Sequence, residues 1–356
     1  MNSIYIIAEA GVNHNGSKET ALKLIDAAKA SGANAVKFQT FKTNNLVTEN
    51  AEKAVYQKKT TTSQESQFDM LKRLELSYET FHELFDYCNK KGIEFLSTAF
   101  DIESLDFLVN DLGLKTLKIP SGEITNGPLL LAHAQTECDL IISTGMATLA
   151  EIEEALGVVA FGLLGSNAPS RAAFSTAFSS DEGQKVLNDK VTLLHCTTEY
   201  PAPIEDINLT AMKSMADKFG LRIGYSDHSK GITVPIAAAA LGAILIEKHF
   251  TLDKNLTGPD HKASLEPDEL KSMVDGIHAI EKALGDGLKG PRPSELGNRN
   301  VARKSIVAAK EIIVGEKFSE VNLAIKRPGI GKSPMEYWDL LGKESQSNFR
   351  TDEIIR

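Results

Sequence analysis

The sequence is poor in cysteine and contains no long apolar run. Its three cysteines, Cys88, Cys138 and Cys196, are odd in number, far apart and outside any metal-ligand spacing. They therefore predict neither a disulfide framework nor a cysteine metal site, and they favour a reducing, cytoplasmic location. No apolar run reaches the ~18 residues that a membrane-spanning helix needs. The first residues lack the basic start and the cleavage site of a secretory signal, so we expect a strand there.

An excess of basic residues is also absent. The 356-residue chain carries a formal net charge of −9 at pH 7, which argues against a nucleic-acid partner. An anionic small substrate is still compatible with this charge, because a few local lysines can set the electrostatic field inside a cleft. The length and an apolar content of 42% predict a full-sized core, in one large domain plus a small one or in two ordinary domains.

Eight short runs rich in aliphatic and aromatic residues recur along the chain. They span residues 4–11, 35–41, 94–101, 116–123, 140–146, 191–200, 222–229 and 243–250. Each has the length and nearly continuous apolar character of a strand buried on both faces of a parallel sheet. Segments with helical spacing of apolar residues lie between them, so the pattern predicts an α/β protein with a (β/α)8 (TIM) barrel. A doubly wound open sheet is the alternative, but no GxGxxG turn follows the first run.

Polar side chains stand within or just after each of these runs. In a barrel, the carboxyl ends of the strands converge on one cavity, so these side chains are candidates for a shared site. The candidates are Glu9, Lys37, Gln39, Thr98, Lys118, Ser121, Glu123, Ser143, Thr198, Tyr200, Ser226, Asp227, His228, Glu247 and His249. The alternative is that some of these strand ends simply meet solvent.

The residue types indicate two kinds of chemistry. His228 and His249 end consecutive strands, and two imidazoles that face a pocket suit a divalent metal with open positions. No HExxH motif supports this, so two unrelated histidines are the alternative. Lysines and hydroxyl groups from several strands suit a phosphate and a carboxylate together. Glu9 is expected to handle protons if it is partly buried, or else to pair with a lysine.

Three segments outside the runs complete the pattern. In 256–264, a Gly–Pro turn is expected to present Asp260 over the barrel mouth as an acceptor for sugar hydroxyls. Residues 161–190 are expected to form an elaborated loop with one short extra helix. The glycines and prolines of 285–300 predict a linker between a barrel, 1–284, and a small β-rich unit, 301–356. There, Arg327 either reaches an active-site mouth or is a solvated surface residue.

Taken together, the motifs resemble those of the N-acetylneuraminate (sialic acid) synthase family, including its legionaminate synthases. The matching stretches are AEAGVNHNGS, VKFQTFK, FLSTAFD, KIPSGE, ISTGMAT, LLHCTTEYPAP, GYSDHS, IEKHFTLDKNLTGPDH and KRPGIG. The resemblance implies a barrel joined to a C-terminal antifreeze-like (SAF) domain in a domain-swapped homodimer. It implies a metal-dependent transferase that condenses phosphoenolpyruvate with N-acetylmannosamine to N-acetylneuraminate and phosphate. The alternative is N,N'-diacetyllegionaminate synthesis from 2,4-diacetamido-2,4,6-trideoxymannose.

The resemblance also implies roles for individual residues. His228 and His249 would hold Mn²⁺ or Mg²⁺, and Glu9 would manage protons or water near the reacting carbons. The residues implied to bind phosphoenolpyruvate are Lys37, Thr98, Lys118, Ser121, Ser143 and Ser226. Those implied to hold the sugar are Gln39, Tyr200, Asp260 and, from the partner's tail, Arg327. Glu123 and Thr198 complete the predicted substrate-binding set, although some family members carry Asn in place of Thr198.

Two rival functions remain open from the sequence. One is a Schiff-base pyruvate aldolase that uses Lys118 or Lys248 as its nucleophile on a similar barrel. The other is a non-catalytic sugar-binding protein that retains the barrel.

Overall fold

The apolar runs predicted as strands close into a parallel barrel. The computed structural model describes residues 3–61 and 65–356. Within these ranges, eight strands pair in sequence order, and the last pairs back with the first. They are β1 Tyr5–Gly11, β2 Ala35–Thr40, β3 Glu94–Ala99, β4 Thr116–Ile119, β5 Asp139–Ser143, β6 Val191–His195, β7 Arg222–Asp227 and β8 Leu245–His249. The predicted barrel is confirmed, and the open-sheet alternative is wrong.

Helices follow the strands and cover the outside of the barrel. In the first part of the chain they are α1 Lys18–Ser31, α2 Thr43–Leu46, α3 Val55–Thr60, α4 Gln67–Leu74, α5 Tyr78–Lys91, α6 Ile102–Asp106 and α7 Gly127–Ala134. Further along are α8 Leu149–Leu163, α9 Arg171–Ser179, α10 Asp181–Lys190, α11 Ala211–Phe219, α12 Thr233–Ala240 and α13 Pro267–Leu284. No helix in the described ranges is both long and apolar enough to cross a membrane.

The alternation of side chains along each strand produces two separate cores. Outward residues such as Val36 and Phe38 pack beneath the helices in the large core. Inward residues form a second core that closes the floor of the barrel, namely Ile7, Ala35, Leu96, Ile141, Leu194 and Leu245. The next inward residue on each strand, two positions along, stands above this floor. The floor therefore excludes water from below any group placed in the layer above it.

Residues 161–190 differ from the expected loop with one short helix. They contain the end of α8 and two further helices, α9 and α10. Ser170 and Ser180 cap these helices by accepting hydrogen bonds from the amides of Ala173 and Gly183. Phe161 on α8 packs edge to face against Phe174 on α9, with ring centroids 5.1 Å apart. The serine content favoured the prediction of a loop, but two of these serines are the N-caps of helices α9 and α10.

The chain divides after Gly285 into two compact units. The second unit begins with α14 Pro293–Ala302, so the segment 285–300 that was expected to be a linker includes most of a helix. Arg292 donates its backbone N–H to the Glu295 carboxylate, which caps this helix. Antiparallel strands β9 Ser305–Ala308 and β10 Leu323–Lys326 follow, then α15 Tyr337–Leu340. The unit has its own small core, formed by Ile306, Ala308, Ile312, Phe318, Leu323, Leu340 and Ile355.

Gly224 on β7 is expected to be essential to barrel closure. A Cβ at this position would lie 2.6 Å from both Leu194 Cδ2 and the Leu245 carbonyl oxygen, and the carbonyl cannot move without disturbing β8. We expect Gly224→Ala to lower the free energy of unfolding by about 1–3 kcal/mol, the usual cost of overpacking a core. Urea unfolding measures this. The control is Gly127→Ala, where an added Cβ meets nothing within 4 Å; equal stabilities of the two variants would contradict the prediction.

Candidate active site

Four ionisable side chains meet inside the barrel, in the layer above its apolar floor. Strand register makes Glu9 the neighbour of Lys37 on β2 and of His249 on β8. Glu9 Oε2 lies 2.7 Å from Lys37 Nζ, and Glu247 Oε2 lies 3.5 Å from the same nitrogen. Glu247 Oε1 lies 3.4 Å from Lys118 Nζ. We call Glu9, Lys37, Lys118 and Glu247 the lysine–carboxylate cluster; each of its side chains is at most 5% exposed.

Burial and mutual attraction set the charges of this cluster. Burial raises the pKa of Glu9, and Lys37 offsets only part of the effect. Burial also acts on Glu247, but the two lysines and a hydrogen bond from Ser226 outweigh it and lower the pKa to about 2. Burial lowers the pKa of Lys118, whereas the two carboxylates raise that of Lys37 despite its burial. The cluster thus combines a permanently ionised Glu247 with a Glu9 carboxyl that can exchange a proton.

Hydroxyl and amide groups of neighbouring strands surround the cluster. Lys37 Nζ donates to Thr98 Oγ1 at 3.1 Å, and Ser226 Oγ donates to Glu247 Oε1 at 2.8 Å. Gln39 Nε2 donates to Glu9 Oε1 at 3.4 Å. These contacts place the predicted residues of β1, β2, β3, β7 and β8 around one point.

A second group of hydroxyls lies on the loops that follow β4, β5 and β6. Ser121 Oγ and Thr198 Oγ1 are 3.0 Å apart, and Gly145 packs directly against both. Gly145 has a φ of +45°, and a Cβ there would lie 2.4 Å from Ser121 Cβ and from Thr198 Oγ1. Its N–H donates to Cys196 Sγ, beside the buried Ser143. Clustered hydroxyls and backbone N–H groups of this kind suit an anion.

His228 and His249 face each other at the same end of the barrel, with ring centroids 5.5 Å apart. His228 Nδ1 lies 2.6 Å from the Thr197 carbonyl oxygen. Because a carbonyl can only accept, Nδ1 carries the proton and the Nε2 lone pair is free. His249 Nδ1 is buried, with no hydrogen-bond partner among the described residues. Burial lowers the pKa of His228 to about 4 and that of His249 well below its usual value, so both rings are neutral.

This imidazole pair fits a divalent metal by the chemistry of its donors. Neutral imidazoles with free nitrogens are good metal ligands, and the orphaned His249 Nδ1 lacks any other partner. Gly11, with a φ of +52°, leaves room beside them: a Cβ there would lie 3.4 Å from His249 Cε1 and 3.2 Å from Glu9 Oε1. In residues 3–61 and 65–356, no group of three or more His, Cys, Asp or Glu side chains is placed to hold a metal. The pair would therefore need water or substrate oxygens as further ligands.

Two tyrosines form a wall next to the imidazoles. The Tyr200 ring lies 4.2 Å from that of His228 and 5.5 Å from that of His249, centroid to centroid. The Tyr56 ring lies 5.1 Å from that of Tyr200. We call Tyr200 and Tyr56 the aromatic wall.

Asp260 lies on the loop after β8, where the sequence placed it. Its side chain is buried, and burial raises its pKa to about 7. Asn13 Nδ2 donates to the Phe250 carbonyl and to Ser264 Oγ, both at 2.9 Å. Ser264 Oγ in turn donates to the Asp260 carbonyl at 2.8 Å. The loop after β1 thus holds the Asp260 backbone. Burial raises the pKa of the Tyr200 hydroxyl, and the nearby Asp260 carboxylate adds to this effect.

Glu123 and Arg327, two further predicted site residues, form hydrogen bonds within their own parts of the chain. Glu123 accepts a hydrogen bond of 2.7 Å from Asn126 within its own turn. Arg327 belongs to the second unit, where it is exposed and donates from Nε to the Ala302 carbonyl at 3.0 Å. Their contributions to a site remain predictions.

Asp227 and Lys248 lie on the outer face of their strands and not in the cavity. Lys248 Nζ is 2.6 Å from Asp227 Oδ2 and also donates to the Ser229 carbonyl, and both side chains are fully buried. Since strand residues alternate, their neighbours Ser226 and Glu247 face inward. The expectation that Asp227 shares the site is wrong, and Lys248 cannot serve as the nucleophile of an aldolase in this cavity.

The sequence reasoning missed two residues of the cavity. Glu247 was noted at a strand end but given no role, although it stands two positions before His249 and therefore on the same face. Tyr56 was not noted, because nothing in the spacing of residues 51–60 relates α3 to the barrel mouth.

Family models match almost the whole of the chain. A model of the NeuB family matches residues 24–289, and a model of the SAF domain matches residues 303–356. The chain belongs to the NeuB family. The C-terminal unit, with its paired strands β9 and β10, is the predicted antifreeze-like domain.

Individual relatives are similar over nine tenths or more of their length. An N,N'-diacetyllegionaminic acid synthase of Campylobacter jejuni is 52% identical over 356 residues, which is 100% of both chains. A synthase of the same name from Legionella pneumophila is 46% identical and covers 97% of this chain and 91% of its own. The crystal structure of an N-acetylneuraminic acid (sialic acid) synthetase from Leptospira borgpetersenii, in complex with citrate, is 35% identical. It covers 83% of this chain and 90% of its own with a TM-score of 0.66.

These comparisons confirm the predicted family and the predicted class of enzyme, a phosphoenolpyruvate-dependent C–C bond-forming transferase of the sialic acid synthase type. They do not favour N-acetylmannosamine as the sugar. The two relatives at 52% and 46% identity are both named N,N'-diacetyllegionaminic acid synthases, which favours the alternative.

Glu247 is expected to stabilise the fold as well as the site, because it faces both buried lysines. Removing one partner of a buried ion pair leaves an uncompensated charge, so we expect Glu247→Gln to lower the free energy of unfolding by about 3 kcal/mol. Asp217→Asn is the matched control, since Asp217 pairs with Lys213 on an exposed helix face. That loss should stay below about 1 kcal/mol. Urea unfolding of both variants at neutral pH is the measurement, and a Glu247→Gln variant as stable as the control would contradict it.

Proposed function

We propose that this chain is an N,N'-diacetyllegionaminate synthase, which condenses phosphoenolpyruvate with 2,4-diacetamido-2,4,6-trideoxymannose and releases phosphate. The observation that carries the reaction is the buried lysine–carboxylate cluster beside a neutral imidazole pair in one cavity. The choice of sugar is supported by the relatives at 52% and 46% identity.

Phosphoenolpyruvate binds where lysines and hydroxyls converge. Lys37 on β2 and Lys118 on β4 supply positive charge, and burial makes that charge effective because little water screens it. The hydroxyls that complete the site are those of Thr98, Ser121, Ser143, Thr198 and Ser226.

The open-chain sugar binds with its aldehyde at the imidazole pair. Mn²⁺ or Mg²⁺ held by His228 and His249 supplies Lewis-acid polarisation of the aldehyde oxygen when bound. Gln39, Tyr200 and Asp260 contact the sugar. Arg327 from the C-terminal domain of a second copy contacts its N-acetyl group in a domain-swapped homodimer. Arg327 is exposed and donates from Nε to the Ala302 carbonyl, so within the described residues its outer guanidinium nitrogens are available for that contact.

The chain's residues then bring the two reacting carbons together. The methylene carbon of phosphoenolpyruvate bonds to the aldehyde carbon, whose oxygen takes up a proton and becomes a hydroxyl. Water then adds to the resulting cationic carbon and loses one proton. The C–O bond to phosphate breaks as the added hydroxyl loses its proton, which leaves a ketone and inorganic phosphate. Glu9 accepts the proton of that water, since its carboxyl is buried with a raised pKa and lies beside Lys37 Nζ. Positioning of the two substrates contributes much of the rate.

Phosphate release tests the proposal. The purified full-length protein is incubated with phosphoenolpyruvate and either 2,4-diacetamido-2,4,6-trideoxymannose or N-acetylmannosamine, with and without chelator. We expect a higher kcat/KM for the former sugar, loss of turnover with chelator, and recovery on adding Mn²⁺ or Mg²⁺. His228→Ala should abolish metal-dependent turnover with folding intact, whereas His82→Ala, at an exposed position, should not.

Four results would overturn all or part of the proposal. A preference for N-acetylmannosamine would overturn the sugar, and full turnover of His228→Ala with unchanged metal dependence would overturn the ligand role. A lysine labelled by pyruvate and borohydride would instead support an aldolase that uses Lys118. Binding of the sugar without phosphate release would support a non-catalytic protein.

Binding of the sugar is expected to strengthen as pH rises through about 7. Burial raises the Asp260 pKa to about 7, so the side chain is a neutral acid below that pH and a carboxylate above it. A carboxylate accepts stronger hydrogen bonds from sugar hydroxyls than a protonated acid does. The sugar KM at saturating phosphoenolpyruvate should therefore fall between about pH 6 and about pH 8.

Asp260→Asn is the control for this pH dependence, because an amide does not titrate in that range. The variant should have a higher sugar KM at alkaline pH and a nearly flat profile. A variant that keeps the wild-type fall in KM would show that another group titrates.

A further inference from the structure

A row of aromatic rings leads away from the imidazole pair. Tyr200 packs on His228 with centroids 4.2 Å apart, and Tyr56 packs on the Tyr200 ring at 5.1 Å. Among the described residues, the Tyr56 ring contacts the Tyr200 ring and neither imidazole ring, so in this row it follows Tyr200.

Tyr56 stands on the same side of the mouth as Asp260. It lies on α3, and Thr60 at the end of this helix donates from Oγ1 to the Pro259 carbonyl at 3.4 Å. The Asp260 carboxyl is close enough to add to the effect of burial in raising the pKa of the Tyr56 hydroxyl. The Tyr56 side chain is half-buried, so part of its surface is open. The helix and the Asp260 loop therefore lie next to each other, on the side of Tyr200 where Tyr56 packs.

The two candidate sugars differ in what they would place along the aromatic wall. With the aldehyde at the imidazole pair, as the proposed function requires, the far carbons of the sugar point outward along the aromatic wall. In 2,4-diacetamido-2,4,6-trideoxymannose these carbons carry an acetamido and a methyl group. In N-acetylmannosamine they carry hydroxyls. A tyrosine ring offers a large apolar surface that suits methyl and acetamido groups and gives nothing to a hydroxyl.

We propose that Tyr56 is a specificity-determining residue, whose ring contacts the far acetamido and methyl groups of the sugar and selects against hydroxyls there. This role rests on the proposed function. It differs from a packing role, in which Tyr56 would only support Tyr200. A packing role would change the turnover of both sugars by the same factor, whereas a specificity role changes their ratio.

The experiment measures kcat/KM for both sugars with the full-length protein and its metal. Tyr56→Ala is expected to lower the preference for the trideoxy sugar about 10-fold or more, in the range that one or two apolar contacts provide. Tyr56→Phe keeps the ring and should keep the preference. The matched control is Tyr87→Ala: Tyr87 is also half-buried, but its hydroxyl bonds to Asp26 on the outer helices.

Each outcome decides the matter. If Tyr56→Ala lowers kcat/KM equally for both sugars, their ratio is unchanged. Tyr56 then has only a packing role, and the inference is wrong. A wild-type enzyme that prefers N-acetylmannosamine, or releases no phosphate from either sugar, overturns the proposed function and this role with it. If the alanine variant does not fold, Tyr56→Gln places a polar side chain on the same helix, and the same fall in the ratio is expected of it.

Discussion

The site depends on keeping two lysines and two carboxylates inside a barrel whose floor is apolar. An isolated charge in such a place is strongly disfavoured, so the charges persist only as a mutually paired set. Glu247 lies within 3.5 Å of both lysine Nζ atoms, which makes it the centre of that set. Lys37 and Lys118 concentrate the positive charge of this set at their two buried Nζ atoms. An incoming anion therefore meets positive charge that little water screens, which is why this layer suits the phosphate and carboxylate of phosphoenolpyruvate.

The parallel barrel arranges the inward side chains of its strands in successive layers, and the paired charges occupy one of these layers. Inward residues recur every second position, so Ile7 is followed by Glu9 and Leu245 by Glu247 and then His249. The apolar floor, the charged layer and the imidazole pair are successive inward positions of the same strands. The spacing of the strands places the charged layer and the imidazole pair side by side, and the loops after β4, β5 and β6 add hydroxyl groups. Outward residues pack between the strands and the helices instead, and the buried Lys248–Asp227 pair is one example.

Much of this arrangement could be predicted from the sequence, because strands buried on both faces leave nearly continuous apolar runs. A polar residue inside such a run, like Lys37 between Val36 and Phe38, therefore marks the cavity. Strict alternation would also have moved Asp227 to the outer face and brought Glu247 inside. The two helices in 161–190 were hidden because their capping serines are also typical of loops. Tyr56 could not have been predicted at all, since its place follows from tertiary contacts between α3 and the Asp260 loop.

Residues of the strands and residues at the barrel mouth also differ in what their motifs reveal. The motifs identify the chemistry of the enzyme, but they do not identify its sugar. Residues of the strands must satisfy the fold, the charge balance and the reaction at once, so the stretches that carry them resemble a whole family. In the proposed function the far end of the sugar meets residues on loops and short helices, where Tyr200, Tyr56 and Asp260 lie, and such segments tolerate change. A barrel of this kind can therefore keep one reaction while its sugar changes. For this reason we infer the choice between N-acetylmannosamine and the trideoxy sugar from the residues at the barrel mouth. There, the apolar ring surface outside the imidazole pair favours the sugar with fewer hydroxyls.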